Sequence, residues 1–259
     1  MSEIQRPGAL YQQVAAAIRE AILSGEFAPD ALLPSEAQLM ARYGVSRPTV
    51  RNAIAALRAE GLIDVRHGKG SFVRSSQQPA LPLERRITRT TEGTFVMPGG
   101  DVWDEAEKPS TYRTHTTKDT GRLLQLGAEE ALFGCDRLLI DPSSGARAMH
   151  RTLIPFTTAE TVPLLAEEPS KDPAAIYGLL TQEGHKLSWT ETVRARMPLP
   201  DERTTLRLPD ATPVLHLARV THGADGRPLI LEELRTGADR AELAYRITAD
   251  KPPTRRARA

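Results

Sequence analysis

The chain of 259 residues has a single cysteine, Cys135. One thiol excludes an internal disulfide framework and any zinc site built on several cysteines. It also suits a reducing compartment, so a cytoplasmic location is expected. No apolar run approaches the roughly 18 residues that a membrane helix needs, and no membrane association is expected. The start, Met1 to Pro7, lacks a positive segment followed by an apolar one, so no secretory leader is expected there. The sequence carries no His-x-x-x-His, His-Glu-x-x-His, Gly-x-Ser-x-Gly or Gly-x-x-x-x-Gly-Lys pattern, and from this we expect no metal, no cofactor and no catalytic residue. A dominant charge is missing as well. The 34 Lys+Arg stand against 33 Asp+Glu, a formal net of +1 that argues, on average, against a nucleic-acid partner.

Hydrophobic residues make up 40% of the chain, enough for real cores. The length suggests two domains at roughly 150 residues each. Divided at Ser76, the charge resolves into two parts. Residues 1–76 hold nine basic and seven acidic side chains, and the remainder is slightly acidic. Within 42–74, seven basic residues face two acidic ones, a local net of +5. An excess of that size over so short a stretch suits a DNA-reading surface.

The local patterns in this stretch are ordered. Leu10, Val14, Ile18 and Ile22 recur every four residues and predict a helix over 8–24, closed by Gly25. Ser35-Glu36-Ala37-Gln38 is a capping box that starts a short helix ending at Gly44. Ser46, Arg47 and Pro48 start another, running to about Glu60, with Val50, Ile54 and Leu57 inward and Arg47, Arg51 and Arg58 outward. Leu62 to Arg66, the turn His67-Gly68-Lys69-Gly70, and Ser71 to Arg74 read as a basic-tipped hairpin. Helix, short helix, glycine turn, basic helix and basic hairpin make a winged helix-turn-helix. In that arrangement Arg47, Thr49 and Arg51, with Ser46, Pro48 and Asn52 beside them, would meet a major groove. Arg66, His67, Gly68, Lys69 and Gly70 would approach a backbone or minor groove. Ser35 and Glu36 open a helix whose free N–H groups favour a phosphate.

These residues resemble a known family. Leu33-Pro34-Ser35-Glu36, the run Leu39 to Arg51, Glu60-Gly61-Leu62-Ile63 and Gly68 to Val73 are similar to the DNA-binding domain of the GntR family of bacterial transcription regulators. The resemblance implies that Arg47, Thr49 and Arg51 face an operator, that Gly68 and the wing lie at the minor groove, and that the protein is a homodimer on a short palindrome of double-stranded DNA.

Residues 77–90 have polar, proline and basic segments without an amphipathic period and read as a solvated linker, in which Arg85, Arg86 and Arg89 could add phosphate contacts. Residues 91–250 read as α+β. Strands are predicted at 131–140, 146–154, 187–197, 214–222, 228–235 and 241–247, with helices at 172–183 and 201–208, giving a mostly antiparallel sheet carrying helices. Cys135 falls in a strand and reads as a small core hydrophobe. Residues 251–259 read as a basic, disordered tail.

This half resembles the UTRA ligand-sensing domain of the HutC subfamily, whose fold is shared with chorismate lyase. The resemblance rests on Asp136-Arg137-Leu138, Leu153-Ile154-Pro155, Ala175 to Leu180, Gly226-Arg227-Pro228-Leu229 and Asp239-Arg240. It implies a repressor released by a small-molecule effector. Where sugar-phosphate-sensing members carry two arginines at i, i+2, this chain has Arg137 and Leu139. A glutamate before the Ile-Pro is replaced by His150 nearby, and a Ser-x-Tyr reads Ala175-Ile176-Tyr177. A phosphate site wants several convergent donors, so these departures count against a phosphosugar. Arg137, His150, Tyr177, Glu191, Arg194 and Glu232 are the residues expected around an effector cavity. A plasmid transfer or maintenance repressor without an effector, or a chorismate-lyase-like enzyme fused to a DNA-binding module, are the alternatives.

Overall fold

The computed structural model describes residues 9–66, 68–74, 80–97 and 103–247. His67 and the tail at 251–259 lie outside the described residues. Among the described residues, no helix is long and apolar enough to cross a membrane.

The first domain is built by short-range signals. Helix α1 (Leu10–Leu23) is followed by α2 (Glu36–Tyr43), α3 (Arg47–Ala59) and the hairpin β1 (Ile63–Arg66) and β2 (Gly70–Val73). Ser35 caps α2, taking the Gln38 N–H at 3.3 Å while the Gln38 side chain accepts from the Ser35 N–H at 2.8 Å. Gly44 closes α2 at φ +64°, so a left-handed residue makes the tight turn into α3. Val14, Ile18, Leu33, Leu39, Val50, Ala53, Leu57, Ile63 and Val73 form one core. Two expectations shift: Leu10 is exposed, and Ala53, rather than the half-buried Ile54, completes the inner stripe of α3. The C-terminal end of α3 is fixed to α1 by a two-pronged ion pair, Arg19 to Glu60 at 2.6 and 2.8 Å.

The second domain centres on an antiparallel sheet. Its strands are β6 (Asp104–Glu105), β7 (Ser110–His115), β8 (Ala131–Ile140), β9 (Arg147–Pro155), β10 (Ser188–Arg196), β11 (Val214–His222) and β12 (Pro228–Gly237), ordered β10-β11-β12-β9-β8 with β6 and β7 pairing successive stretches of β8. Helices α4 (Lys118–Leu124), α5 (Phe156–Thr161), α6 (Leu164–Glu167), α7 (Pro173–Gln182) and α8 (Pro200–Thr205) complete it. Directly opposed residues of antiparallel strands share a face. Two rows therefore run across one side of the sheet: Glu191, Arg219, Glu232, Thr152 and Cys135, then Val193, Leu217, Leu234, His150 and Arg137. Ile176, Tyr177 and Leu180 of α7 pack on that side with Phe133, Ile154 and Ile230.

Residues 80–90 are not a solvated tether. Strand β3 (Leu81–Glu84) pairs in parallel with β13 (Ala241–Ala244), and β4 (Thr88–Arg89) pairs with β5 (Phe95–Val96). Leu83 is buried, and Arg85 turns inward to Glu191 at 2.7 Å. The alternation of Leu81 and Leu83 is only two residues deep and is masked by Pro82, and its pairing strand lies far away in sequence.

Candidate functional site

Two regions carry chemistry. The first is the exposed side of α3 and the hairpin. Ser35, Glu36, Ser46, Arg47, Pro48, Arg51 and Asn52 are all exposed, as are Arg66, Gly68, Lys69 and Gly70. Thr49 is half-buried and shares a hydrogen bond of 2.9 Å with the Ser46 hydroxyl. That bond takes the Ser46 side chain away from a capping role. Glu36 stands 3.6 Å from both Arg47 and Arg51, a distance that lines up the two guanidinium groups without neutralising them tightly. At the hairpin, Arg66 lies over the Phe72 ring at 4.4 Å. Gly70 adopts φ +106°, and a Cβ there would stand 2.8 Å from Leu32, so the wing needs glycine.

The second region is a cavity of about 580 Å³ between the sheet and the strap formed by β3 and residues 95–97. This volume suits a small organic molecule. Leu83, Phe95, Met97, Trp103, Leu217 and Leu234 give it a mainly carbon wall. Its floor is a chain of compensated charges. The Tyr177 hydroxyl donates to Glu232, whose other oxygen stands 3.6 Å from His150. Arg219, 4% exposed, donates to Glu191 at 2.8 Å, and Glu191 also takes Arg85 and the Tyr245 hydroxyl. Burial raises the cost of ionising Glu232, but His150, Arg219 and Tyr177 outweigh it and hold the carboxyl below its ordinary range. The same balance, with Arg85 and Arg219 against burial, keeps Glu191 low. Burial, then the charge of Glu232, push the Tyr177 phenol well up. Cys135 sits in β8, its thiol pushed up by burial.

Of the six expected cavity residues, Arg137, His150 and Glu232 line it. Tyr177 and Glu191 stand behind the wall and orient Glu232 and Arg219. Arg194 is exposed and faces the other way: it is paired with His216, three residues, an odd number, from the Glu191 and Arg219 pair. The counting error is one of parity, since adjacent strand residues point to opposite faces. Arg219, Arg85 and Glu105 were missed. Arg219 had a signal: it alternates with Leu215 and Leu217, so its charge falls at an inward position. Arg85 had none beyond its Pro-containing neighbourhood.

The two domains touch at the C-terminal end of the outward face of α3, where Asp210 shares a surface depression with Glu36, Arg51 and Arg58. Arg58 of α3 pairs with Asp210, and Arg74 donates to the Asp210 carbonyl at 2.6 Å and to the Thr212 hydroxyl at 3.3 Å.

Comparison with known proteins agrees with this layout. Residues 10–73 match the model of bacterial regulatory proteins of the gntR family, and residues 154–242 match the UTRA domain. An HTH-type transcriptional regulator of Mycobacterium tuberculosis is 30% identical over 221 residues, covering 84% of this chain and 78% of the relative. The HTH-type transcriptional repressor NagR of Bacillus subtilis is 26% identical over 228 residues, covering 88% of this chain and 84% of the relative. A crystal structure of a GntR-family transcriptional regulator covers 94% of this chain and 99% of its own, with a TM-score of 0.68 at 22% identity, which supports the fold. The chain belongs to the GntR family: it is a DNA-binding transcriptional regulator whose winged helix-turn-helix domain is joined to a ligand-binding UTRA domain.

Proposed function

We propose that the protein is a cytoplasmic, non-enzymatic repressor that binds a palindromic operator as a homodimer and is released when a small molecule fills the cavity. Helix α3 enters the major groove, where Arg47 and Arg51 reach guanine edges or phosphates and Thr49 a thymine methyl or phosphate. Ser35, at the start of α2, and the wing, Arg66 and Gly68 to Gly70 with His67 between them, take the flanking backbone and minor groove. The observation that carries the regulatory half is the position of β3. This strand follows the winged domain in the chain, and its Leu83 and the adjoining Arg85 are also walls of the cavity. A ligand in the cavity therefore contacts the segment that carries the DNA-reading domain.

Such a ligand changes DNA affinity only if it binds one arrangement of the domains better than another. In this structure Arg58 and Arg74 are tied to the Asp210 loop. Occupancy that shifts β3 would move the winged domains of the dimer until their spacing no longer fits two half-sites. The relative named a repressor supports the direction of control. Footprinting the region upstream of the protein's own gene, followed by release assays with metabolites of the neighbouring pathway, tests the reading. A palindromic protected site that loses protein on ligand addition is expected; operator affinity unchanged by every cavity-binding ligand would refute the regulatory mechanism.

A further inference from the structure

Given the reading of the cavity as a sensor, we infer the class of molecule it takes: a small compound with an apolar body and a single carboxylate, the carboxylate received by Arg137. The inference starts from which polar groups of the cavity are already used. Glu232 is engaged by Tyr177 and His150. Glu191 holds Arg85 and Arg219, and Arg219 has further contacts with the Met97 sulfur at 3.4 Å and the Arg85 carbonyl at 3.5 Å. Asp172 accepts from the Ala175 N–H at 2.9 Å. Arg86 is paired with Glu84 at 3.3 Å. These groups have little left to offer a ligand.

Arg137 differs. It is 8% exposed, and its Nη2 donates to the carbonyls of Ser170 and Lys171 at 2.6 and 2.8 Å. Its Nη1 is buried with no hydrogen-bond partner among the described residues, and its Nε stands 3.4 Å from the half-exposed carboxylate of Glu105. A buried guanidinium nitrogen without an acceptor is costly, and a charged oxygen is the acceptor that relieves it most. The first turn of α7, Pro173 and Ala174, lines the cavity too, and the positive end of its dipole favours a negative group.

The rest of the wall sets the remaining chemistry. Leu83, Phe95, Met97, Trp103, Leu217 and Leu234 present carbon, which rewards an aliphatic or aromatic body and leaves sugar hydroxyls without partners. Among the lining residues Glu84, Glu105, Asp172 and Glu232 balance Arg85, Arg86, Arg137 and Arg219. One carboxylate matches Arg137; the double charge of a phosphate would lack the several convergent donors it needs, because Arg85 and Arg219 are held by Glu191 and Arg86 by Glu84.

Calorimetric titration of the full-length chain tests this with hexanoate and phenylacetate, each beside its primary amide, and glucose 6-phosphate as the phosphosugar probe. Each carboxylate is expected to bind at least tenfold tighter than its amide. Arg137→Gln should close that gap. Glu105→Gln should widen it, because a competing negative charge is removed from beside Arg137. If Arg137→Gln fails to fold, Glu105→Gln and the cavity-filling Ala174→Phe still decide, since both leave the hydrogen bonds of Arg137 in place; Ala174→Phe should weaken carboxylate binding tenfold or more. Equal binding of acid and amide, weaker acid binding in Glu105→Gln, binding of glucose 6-phosphate in preference to the acids, or no acid binding at millimolar concentration would overturn the inference. Operator anisotropy on the same samples separates the two readings. An acid that binds without altering operator affinity keeps the ligand class and refutes the sensor reading. Release by a phosphosugar alone keeps the sensor reading and refutes the ligand class.

Discussion

The two domains handle charge in opposite ways. In the winged domain every described charged side chain stays at or near the surface, and the core is aliphatic. In the second domain Arg137, Arg219, Glu202, Glu232 and Glu233 are all buried. A DNA reader needs its charge outside, where phosphates are. A small-molecule site can use charge inside, where low dielectric strengthens each contact and each unmatched group is penalised. The net charge near zero is thus the sum of two unlike arrangements. A weakly charged total favours only modest non-specific DNA affinity, so on the proposed dimeric reading operator binding would lean on paired half-sites.

This contrast can be broken most severely from the inside. Arg219→Leu removes the cation shared by Glu191 and the Glu232 side of the floor, and breaking a buried pair in this way costs about 3–5 kcal/mol. Urea titration should show a large loss of stability in the second domain. A loss below about 1 kcal/mol would mean that the floor is wet and its charges are screened. On the outside, Arg47→Ala or Arg51→Ala should leave folding intact and cost about 1–3 kcal/mol of operator affinity. Relaxed specificity at one base position would assign base reading, and a uniform loss across sequences would assign a phosphate contact.

The same contrast explains what could be read from the sequence. The capping box at Ser35, the left-handed Gly44 and the Pro48 start of α3 act within a few residues, so the winged domain was legible element by element. The strands of the second domain were legible as elements, but the cavity depends on register between strands far apart in sequence. Arg137 sits beside His150 and Leu234 only after β8, β9 and β12 have paired. Arg194 was misplaced for the same reason, being an odd number of residues from Glu191. The inward turn of Arg85 follows from β3 meeting β13, across most of the chain.

Two smaller effects sharpen the comparison. On the far face of the sheet, burial opposes ionisation of Glu233, but His216 and Arg235 prevail and hold it at about 2, against 4.5 normally. A depressed folded value means that its stabilisation is present above 4.5 and is lost as pH falls toward 2. Glu233→Gln should therefore flatten the acid limb of the melting temperature in that window; an unchanged slope would show that Glu233 is not coupled to folding. Asp210→Asn should cost least, about 0.2–1 kcal/mol, because its ion pairs with Arg58 and Arg203 are both solvent-accessible. Its value is diagnostic: the operator affinity of the ligand-free protein should change, and ligand affinity should shift with it, because both depend on the same arrangement of the domains.

The most direct test of the account joins the two domains in one measurement. Anisotropy of a labelled duplex carrying the protected palindrome is titrated with the full-length protein, with and without a saturating concentration of the tightest-binding carboxylate. The account predicts at least a tenfold loss of operator affinity for the wild type and none for Ala174→Phe, whose cavity is filled. Equal affinity of the wild type in both conditions, at demonstrated ligand saturation, would contradict it.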